Sequence, residues 1–523
     1  MQRVYDVCVI GAGASGGVLA GALAQAGVEV ALVEGGPYRD PARLANHAWP
    51  YSRAAPQTPS VGVDAQLEPI EMHGDPIGIL RARVLGGRTT HWNAVSLRFA
   101  EADFRERSWN GIEDDWPISY GELEPYYDRA ERLMVVCGTR ENLEALPDGQ
   151  FIPPLKPRCS ERILGRACQK LGLRMIPVRK ALATEAGHGR AACHYCGHCM
   201  QGCEVSAIFN TAEHVLPAAR KTGRLRLFSN SMARQLLLGK DGRVRSASLI
   251  HRQTRREEEV RARVFVLCCG NVESPRLWLN SRLANSHDAV GRYLHGHVTH
   301  RTMGWLSELL SSPPANQDGA TDHVYIPRFR RGPHRDYAGG FGYQLNFLSY
   351  AVPHQAKHLP GYGAAFKRRV RELQPGFSML GGFGKVVAHR DNRVTVHPRR
   401  RDAYGIPIPV VHFRWQANDL SLFRDMVATG REIYEAAGVQ LLVSDDARPA
   451  GFASHEVGAM RMGVDPQNSV VNRFCQAHEV KNVFVTDGSC FTTMPEKNPT
   501  LTIVALALRT ADTIVALSRR GEL

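Results

Sequence analysis

Residues 5–10, Tyr-Asp-Val-Cys-Val-Ile, form a nearly unbroken apolar run, the pattern of a strand buried on both faces. Gly11-Ala-Gly13-Ala-Ser-Gly16 follows and opens a helix predicted over Ser15–Ala26, and Val28–Glu34 reads as a second strand. Strand, helix and strand make one β-α-β unit, which implies a right-handed crossover and a parallel sheet. The same apolar signature returns at Val264–Cys269, ahead of Gly270 and a helix-like Ser274–Asn280, and again at Asn482–Asp487. These distant pieces are expected to share one sheet, so the nucleotide-binding unit is discontinuous in sequence.

Between them the pattern changes. Residues 310–375 mix Pro, Gly and aromatics with short alternating segments such as Gly340–Leu348, and Val394–Val396 and Pro407–Phe413 also alternate. Period-two alternation predicts an antiparallel sheet in a second unit. Asp419–Gly430 carries apolar residues at Leu420, Phe423, Met426 and Val427, the spacing of a helix. The expected fold class is α/β, a Rossmann-like domain with a parallel sheet joined to an α+β domain with an antiparallel sheet. The expected boundaries are 1–100, 205–300 and 446–523 for the first, 101–190 and 301–445 for the second, and 191–204 for a cysteine-rich insert. No internal repeat interrupts this plan.

Composition narrows the classes. The chain has 523 residues, 43% hydrophobic and 22% charged, which excludes disordered and fibrous proteins and is enough chain to bury a core without disulfide staples. The formal net charge is +14. The basic runs Arg252–Arg256 and Arg399–Arg401 are short and lack interleaved aromatics, so they read as solvated faces and no nucleic-acid partner is expected. Residues 7–28 are uncharged, and Ala22-Leu-Ala24 mimics a signal cleavage site. Asp6 abuts that run, six glycines interrupt it, and an apolar strand follows, so a strand, a turn and a helix explain it. No other stretch is uncharged over the length of a bilayer; Leu501–Leu508 comes nearest and meets Arg509 and Asp512.

Each glycine of the Gly-x-Gly-x-x-Gly turn has a task. Gly11 makes the turn, Gly13 admits a pyrophosphate close to the backbone, and Gly16 lets helix and strand pack closely. The helix N-terminus then offers unpaired N–H groups to phosphate oxygens. Glu34, at the end of the second strand, can accept hydrogen bonds from ribose hydroxyls. The pattern predicts a dinucleotide without separating NAD from FAD. Four of the twelve cysteines, Cys193, Cys196, Cys199 and Cys203, fall within eleven residues. Their C-x2-C-x2-C-x3-C spacing matches the bacterial ferredoxin run, with Glu204 where proline is usual. A 3Fe-4S or 4Fe-4S cluster and a structural zinc, with His194 and His198 as further candidate zinc ligands, are the readings left open.

Several motifs in order along the chain resemble the glucose–methanol–choline (GMC) oxidoreductases, FAD-dependent enzymes that oxidise alcohols and sugars. Gly11–Gly16 with Glu34 resembles the FAD pyrophosphate and ribose site. Arg83–Asn93 is similar to a second glycine turn beside the flavin ring, and Asp115–Tyr127 to a segment of the pyranose-oxidising branches. Ser454–Gly463 resembles the His-containing catalytic loop, and Asn482–Ser489 and Asn498–Thr502 resemble the C-terminal flavin-contact strand and catalytic Asn turn. The cysteine run, Cys199-Met-Gln-Gly-Cys203 in particular, is similar to an insert of bacterial sugar and glucoside 3-dehydrogenases that carry an iron–sulfur cluster beside FAD.

The resemblance implies FAD contacts at Gly11, Gly13, Ala14, Ser15, Gly16, Glu34, Gly86, Gly87, Thr90, His91, Asn93, Asp487, Gly488, Pro499 and Thr500. Thr90-His91-Trp92 is similar to the segment through which pyranose 2-oxidase-like members attach FAD covalently, while related dehydrogenases keep a histidine in this region without the bond. It implies His455 as the base that takes a substrate hydroxyl proton and Asn498 as its hydrogen-bonding partner on the same oxygen. Gln344 and Asn346, on one face of a predicted strand, are candidate contacts to sugar hydroxyls.

The expected activity is oxidation of a secondary hydroxyl of a pyranose or glycoside, at C3, with electrons leaving through an iron–sulfur cluster at Cys193, Cys196, Cys199 and Cys203. An oxygen-using oxidase with structural metal at those cysteines, and a non-catalytic electron-transfer subunit, are the alternatives. Expected partners are a small subunit and a cytochrome c or quinone-linked acceptor. The expected location is cytoplasmic, or periplasmic by co-export with a signal-bearing partner.

Overall fold

The computed structural model describes residues 3–44, 61–310, 312–313, 321–329, 336–345, 356, 359–444 and 449–522. The apolar opening run forms β1 (Val4–Ile10), the glycine turn leads into α1 (Ala14–Gln25), and β2 (Val30–Val33) returns parallel to β1. Strand 257–267 lies on the other side of β1, also parallel, with Val7 opposite Val264 and Ile10 opposite Leu267. The sheet has seven strands, in the order 225–228, β2, β1, 257–267, 244–251 and 231–238, with 483–485 also paired to 257–267. On its edge away from β1 the long strand serves two neighbours. Its first half pairs antiparallel with 244–251, and Phe265–Leu267 pair parallel with Val483–Val485. Every residue of β2 is buried, as a strand covered on both faces requires.

An eight-stranded sheet forms the second layer, in the order 78–79, 450–453, 297–306, 377–385, 341–345, 324–329 and 176–177, with 439–444 also paired to 297–306. Its pairings are antiparallel except where 450–453 meets 78–79. A smaller sheet joins 393–401, 407–413 and 71–74. The short strands at 71–74, 78–79 and 450–453 belong to these sheets and not to the seven-stranded one, so the chain crosses between layers more often than the expected boundaries imply. Two or four residues are too few to show a period, which is why these crossings leave no mark in the hydropathy pattern.

The helix expected over Asp419–Gly430 runs over Ala417–Ala436 and lays Leu422, Phe423, Met426, Ile433 and Tyr434 into the core beneath the eight-stranded sheet. The C-terminal helix spans Thr500–Arg519, straight through Arg509 and Asp512 where the sequence predicted an end to the apolar run. By length and composition it is apolar enough to cross a membrane, yet 61% of its most apolar stretch is buried, and it packs on α1 and on helix 120–134. Arg509 spends its charge on the Arg473 carbonyl and Asp512 pairs with Arg129, so both end groups are satisfied within the fold. Its first residues follow directly on Asn498, which fixes the position of that side chain.

Candidate active site

A cavity of about 780 Å³ runs from the opening glycine turn to the eight-stranded sheet. Gly11, Gly13, Ala14, Ser15, Glu34, Gly87, His91, Asn93, Asp487, Gly488, Pro499 and Thr500 line it. Gly16, Gly86 and Thr90 stand behind the wall and shape it. A Cβ on Gly16 would lie 1.8 Å from the Gly11 carbonyl oxygen, so that position holds α1 against β1. Gly11 has φ +102°, and a Cβ there would meet the Cys268 carbonyl at 2.4 Å. Gly13, by contrast, has only the Gly87 Cα within 4 Å of its missing Cβ, leaving bare backbone on both sides of a corridor into the cavity.

Glu34 is 5% exposed and accepts one backbone N–H on each oxygen, from Ala12 at 3.0 Å and Gly36 at 2.9 Å. Burial pushes its carboxyl up to about 7, with those two N–H bonds opposing the rise. Each oxygen keeps a second lone pair, the pair of acceptors a ribose diol needs. Asp487 is committed differently. One oxygen accepts from Gly270 N and Ser274 Oγ, and the other from Ser489 N and Ser489 Oγ. It therefore locks the Gly270 and Gly488 backbones beside the cavity. The dimensions, the glycine corridor and the half-used carboxylate fit a flavin dinucleotide.

At the far end His455 and Asn498 come together, their Nε2 and Nδ2 atoms 3.3 Å apart. The loop bearing His455 follows strand 450–453 and is pinned on its far side, where His295 and Val457 exchange backbone bonds of 3.0 and 2.9 Å. Burial, then the nearby His297 and Arg88, hold His455 well below the ordinary imidazole range, so the ring is neutral at neutral pH. Asn498 sits on a turn whose preceding residues are ion-paired inside the fold: Lys497 with Asp103, and Glu496 with Arg328. Gln344 lines the cavity and donates through Nε2 to Asn498 Oδ1 at 2.7 Å, so its amide orients the asparagine. Asn346 lies outside the described residues.

Two further residues shape this end, His297 outside any motif and Arg88 inside the second glycine turn. His297, at the start of strand 297–306, places Nδ1 2.9 Å from His455 Nδ1. Arg88 donates to the Ser454 carbonyl at 2.9 Å and to Glu456, tying the second glycine turn to the His455 loop. His91 faces the cavity, 9% exposed, and its Nδ1 lies 2.8 Å from Thr90 Oγ1. Burial pushes its imidazole down to about 4.

The four clustered cysteines are free thiols around a small cavity of about 10 Å³, with Leu182, Val205 and Ile208. Burial raises Cys193 to about 12 and Cys196 to about 11. A tetrahedral zinc with Zn–S bonds of about 2.3 Å would draw its sulfurs to within about 4 Å of each other. Among the described residues, the three-ligand group whose atoms all lie within 4.8 Å is instead His194, Cys196 and Glu204. The cysteine loop abuts the large cavity: Met200 lines it, and a Cβ on Gly202 would lie 3.3 Å from the Thr90 carbonyl oxygen.

The family model described as GMC oxidoreductase matches residues 5–299 with its N-terminal part and 388–507 with its C-terminal part. The chain belongs to the GMC oxidoreductase family. It is accordingly an FAD-dependent enzyme that oxidises alcohol or sugar hydroxyls at CH–OH groups. This GMC oxidoreductase is 29% identical to 2-methyl-1,2-propanediol dehydrogenase of Mycolicibacterium austroafricanum, over 97% of the chain and 95% of the relative. It is 30% identical to 6'''-hydroxyparomomycin C oxidase of Streptomyces lividus, over 98% and 92%. Identity to the fructose dehydrogenase large subunit of Gluconobacter japonicus is 27%, over 99% and 98%. Among solved structures, pyridoxine 4-oxidase from Mesorbium loti superposes with a TM-score of 0.67 at 20% identity, over 97% and 99% of the two chains, which shows the shared fold.

Proposed function

We propose that this GMC oxidoreductase is a dehydrogenase that converts a secondary hydroxyl of a pyranose or glycoside, at C3, to a ketone. The observation that carries the reading is the His455–Asn498 pair, half-buried and buried respectively, at the end of the cavity opposite Glu34. FAD, when bound, supplies the acceptor for the hydride that leaves carbon. The chain's own residues handle the oxygen. His455 Nε2 accepts the hydroxyl proton, and Asn498 Nδ2 donates to the same oxygen as negative charge develops on it. Two contacts on one oxygen also fix the direction of the C–H bond. Glu34, Gly11–Ser15, Gly87, His91 and Asn93 hold the cofactor; Gly16, Gly86, Thr90, Asp487, Gly488, Pro499 and Thr500 shape its walls. Relatives named for a hexose and for a paromomycin support a sugar-like substrate, and the resemblance to glucoside 3-dehydrogenases supports C3.

At Cys193, Cys196, Cys199 and Cys203 we place an iron–sulfur cluster. Four thiols lining one apolar cup, Cys199 buried and the other three half-buried, not drawn into a zinc-sized tetrahedron and adjoining the flavin cavity, suit it. Such a cluster takes electrons one at a time and passes them outward, here to a small partner subunit and a cytochrome c or quinone-linked acceptor. A relative named as a large subunit supports that partnership. The proposed location is cytoplasmic, or periplasmic when carried by a signal-bearing partner. The His194, Cys196 and Glu204 group favours a second reading, a zinc site in an oxygen-using enzyme.

The test is a panel of pyranoses and methyl glycosides, with fructose and 2-methyl-1,2-propanediol beside them, turned over with a dye acceptor and then with oxygen alone. Iron, zinc and acid-labile sulfide are assayed in the same anaerobically purified protein. A 3-keto product, dye-dependent turnover, and iron with sulfide are expected. Turnover confined to the small diol, or zinc without sulfide, overturns the corresponding part.

A further inference from the structure

The two ring nitrogens of His297 have unlike partners, and the difference propagates. Nε2 lies 2.8 Å from the Pro495 carbonyl oxygen, which can only accept, so Nε2 carries the hydrogen. His297 is fully buried, and burial pushes it down to about 4, so at neutral pH it is neutral and its Nδ1 is a bare lone pair. That lone pair faces His455 Nδ1 at 2.9 Å, with the rings at 87°. A hydrogen bond at this distance requires the proton on His455 Nδ1. Neutral His455 then has no hydrogen on Nε2, the nitrogen that faces Asn498 Nδ2. The other end of the chain agrees: Gln344 Nε2 donates to Asn498 Oδ1, which turns the Asn498 N–H toward His455.

We propose that His297, anchored on the Pro495 carbonyl, is a positioning residue that fixes His455 in its Nδ1–H tautomer and so leaves the Nε2 lone pair open to the substrate hydroxyl. The inference rests on the reading of His455 as the base. The backbone is built for it. Val298 pairs with Gly451 and His295 with Val457, clamping strand and loop on both sides of the two imidazoles, and Phe383 packs against both rings. The charged groups acting on His455 and His297 are few. Arg88 is neutralised by Glu456, and Glu496 by Arg328 and Lys497, while His295 is itself a buried neutral ring pushed down to about 3. No carboxylate hydrogen bond to either ring occurs among the described residues, so the orienting acceptor is an uncharged nitrogen.

The experiment uses the FAD-loaded full chain with ¹⁵N-labelled histidine, the His455 signals being assigned by their loss in His455→Gln. Wild-type protein at neutral pH should show Nδ1 protonated and Nε2 bare. His297→Phe keeps the ring volume without an acceptor and should move the proton to Nε2. His297→Asn, which restores an acceptor oxygen, should return it to Nδ1. Substrate-driven flavin reduction, read with methyl glucopyranoside or whichever panel substrate turns over, should fall between about 10- and 10⁴-fold in His297→Phe with KM little changed, because a triad held in its wrong tautomer loses up to about 10⁴. His297→Asn should recover most of that loss. Flavin content and melting temperature establish that each variant is folded. A wild-type Nε2–H, or a tautomer indifferent to His297→Phe, overturns the inference while the base assignment stands. Full turnover by His455→Ala overturns the base assignment itself.

Discussion

Gly458 is the position where the smallest covalent change should produce a large catalytic one. It lies three residues after His455 with φ +95°, and a Cβ there would stand 2.4 Å from the Tyr293 carbonyl oxygen and 2.5 Å from His295 Nδ1. Ordinary van der Waals contact begins near 3.4 Å, so Gly458→Ala forces the loop or the strand to yield by about 1 Å. The first bonds to stretch are the two between His295 and Val457 that clamp the loop to the strand carrying His297. Each is worth about 0.5–1.5 kcal/mol net, and a left-handed non-glycine residue costs about 1–2 kcal/mol more. A stability loss of roughly 2–5 kcal/mol follows. Displacement of a catalytic group by about 1 Å costs on the order of 10²-fold in rate. The assays are a thermal melt and rapid-mixing measurement of flavin reduction by substrate without oxygen. Gly223→Ala is the control, because Gly223 is exposed with φ +72° and nothing within 4 Å of its missing Cβ. The control should lose about 1–2 kcal/mol and no rate. A Gly458→Ala enzyme reducing its flavin within threefold of wild type would refute the claim that this clamp sets the His455 geometry.

Three further outcomes are expected. Lys497→Met leaves buried Asp103 and Glu496 facing one guanidinium, Arg328, and should cost about 3–5 kcal/mol in denaturant melts, with kcat falling as the adjoining Asn498 turn shifts; an unchanged midpoint refutes it. His91, His214, His297 and His323 are each pushed down to about 4 by burial, so the folded protein binds fewer protons than the unfolded chain between about pH 6.5 and pH 4. The stability they contribute is complete above about pH 6.5 and is lost as pH falls toward 4, so the melting temperature should drop steeply across that window, and a flat profile contradicts the burial of neutral rings. Cys199→Ser, at the buried thiol of the cluster loop, should abolish iron and sulfide content and dye-linked turnover while substrate still bleaches the flavin; loss of bleaching would mean the loop serves the flavin site directly.

What could be read from residues alone was local. The glycine turn, Glu34 and the strand on either side of α1 are chemistry confined to one supersecondary unit, and their spacing survives folding unchanged. His455 and Asn498 were legible because each sits in a distinctive loop. His297 was not: it opens a strand whose buried and half-buried residues do not alternate cleanly, and its role depends on partners 158 and 198 residues away. Gln344 was legible only in part: its amide looks suited to a sugar hydroxyl, and its bond to Asn498, 154 residues on, has no signal in strand 341–345. The strands at 78–79 and 450–453 left no trace for a related reason, since their pairing comes from the sheet they join and not from their own composition.

The neutral partner at His297 makes chemical sense when set against a carboxylate in the same place. A carboxylate would orient His455 equally well, but its charge would raise the imidazole pKa and leave a fixed negative field beside the oxygen that must itself become negative. In this pocket the charged neighbours of the pair are balanced, and the base is kept neutral by burial. A neutral acceptor supplies orientation without the field. It also gives the imidazolium that forms somewhere to delocalise, because His297 Nδ1 can take the shared proton while its other nitrogen stays hydrogen-bonded to Pro495. His297→Asp should therefore separate the two contributions: the tautomer is preserved, the acid limb of the pH–rate profile moves upward, and flavin reduction on the plateau slows. A plateau rate equal to wild type would show that orientation alone is what His297 provides.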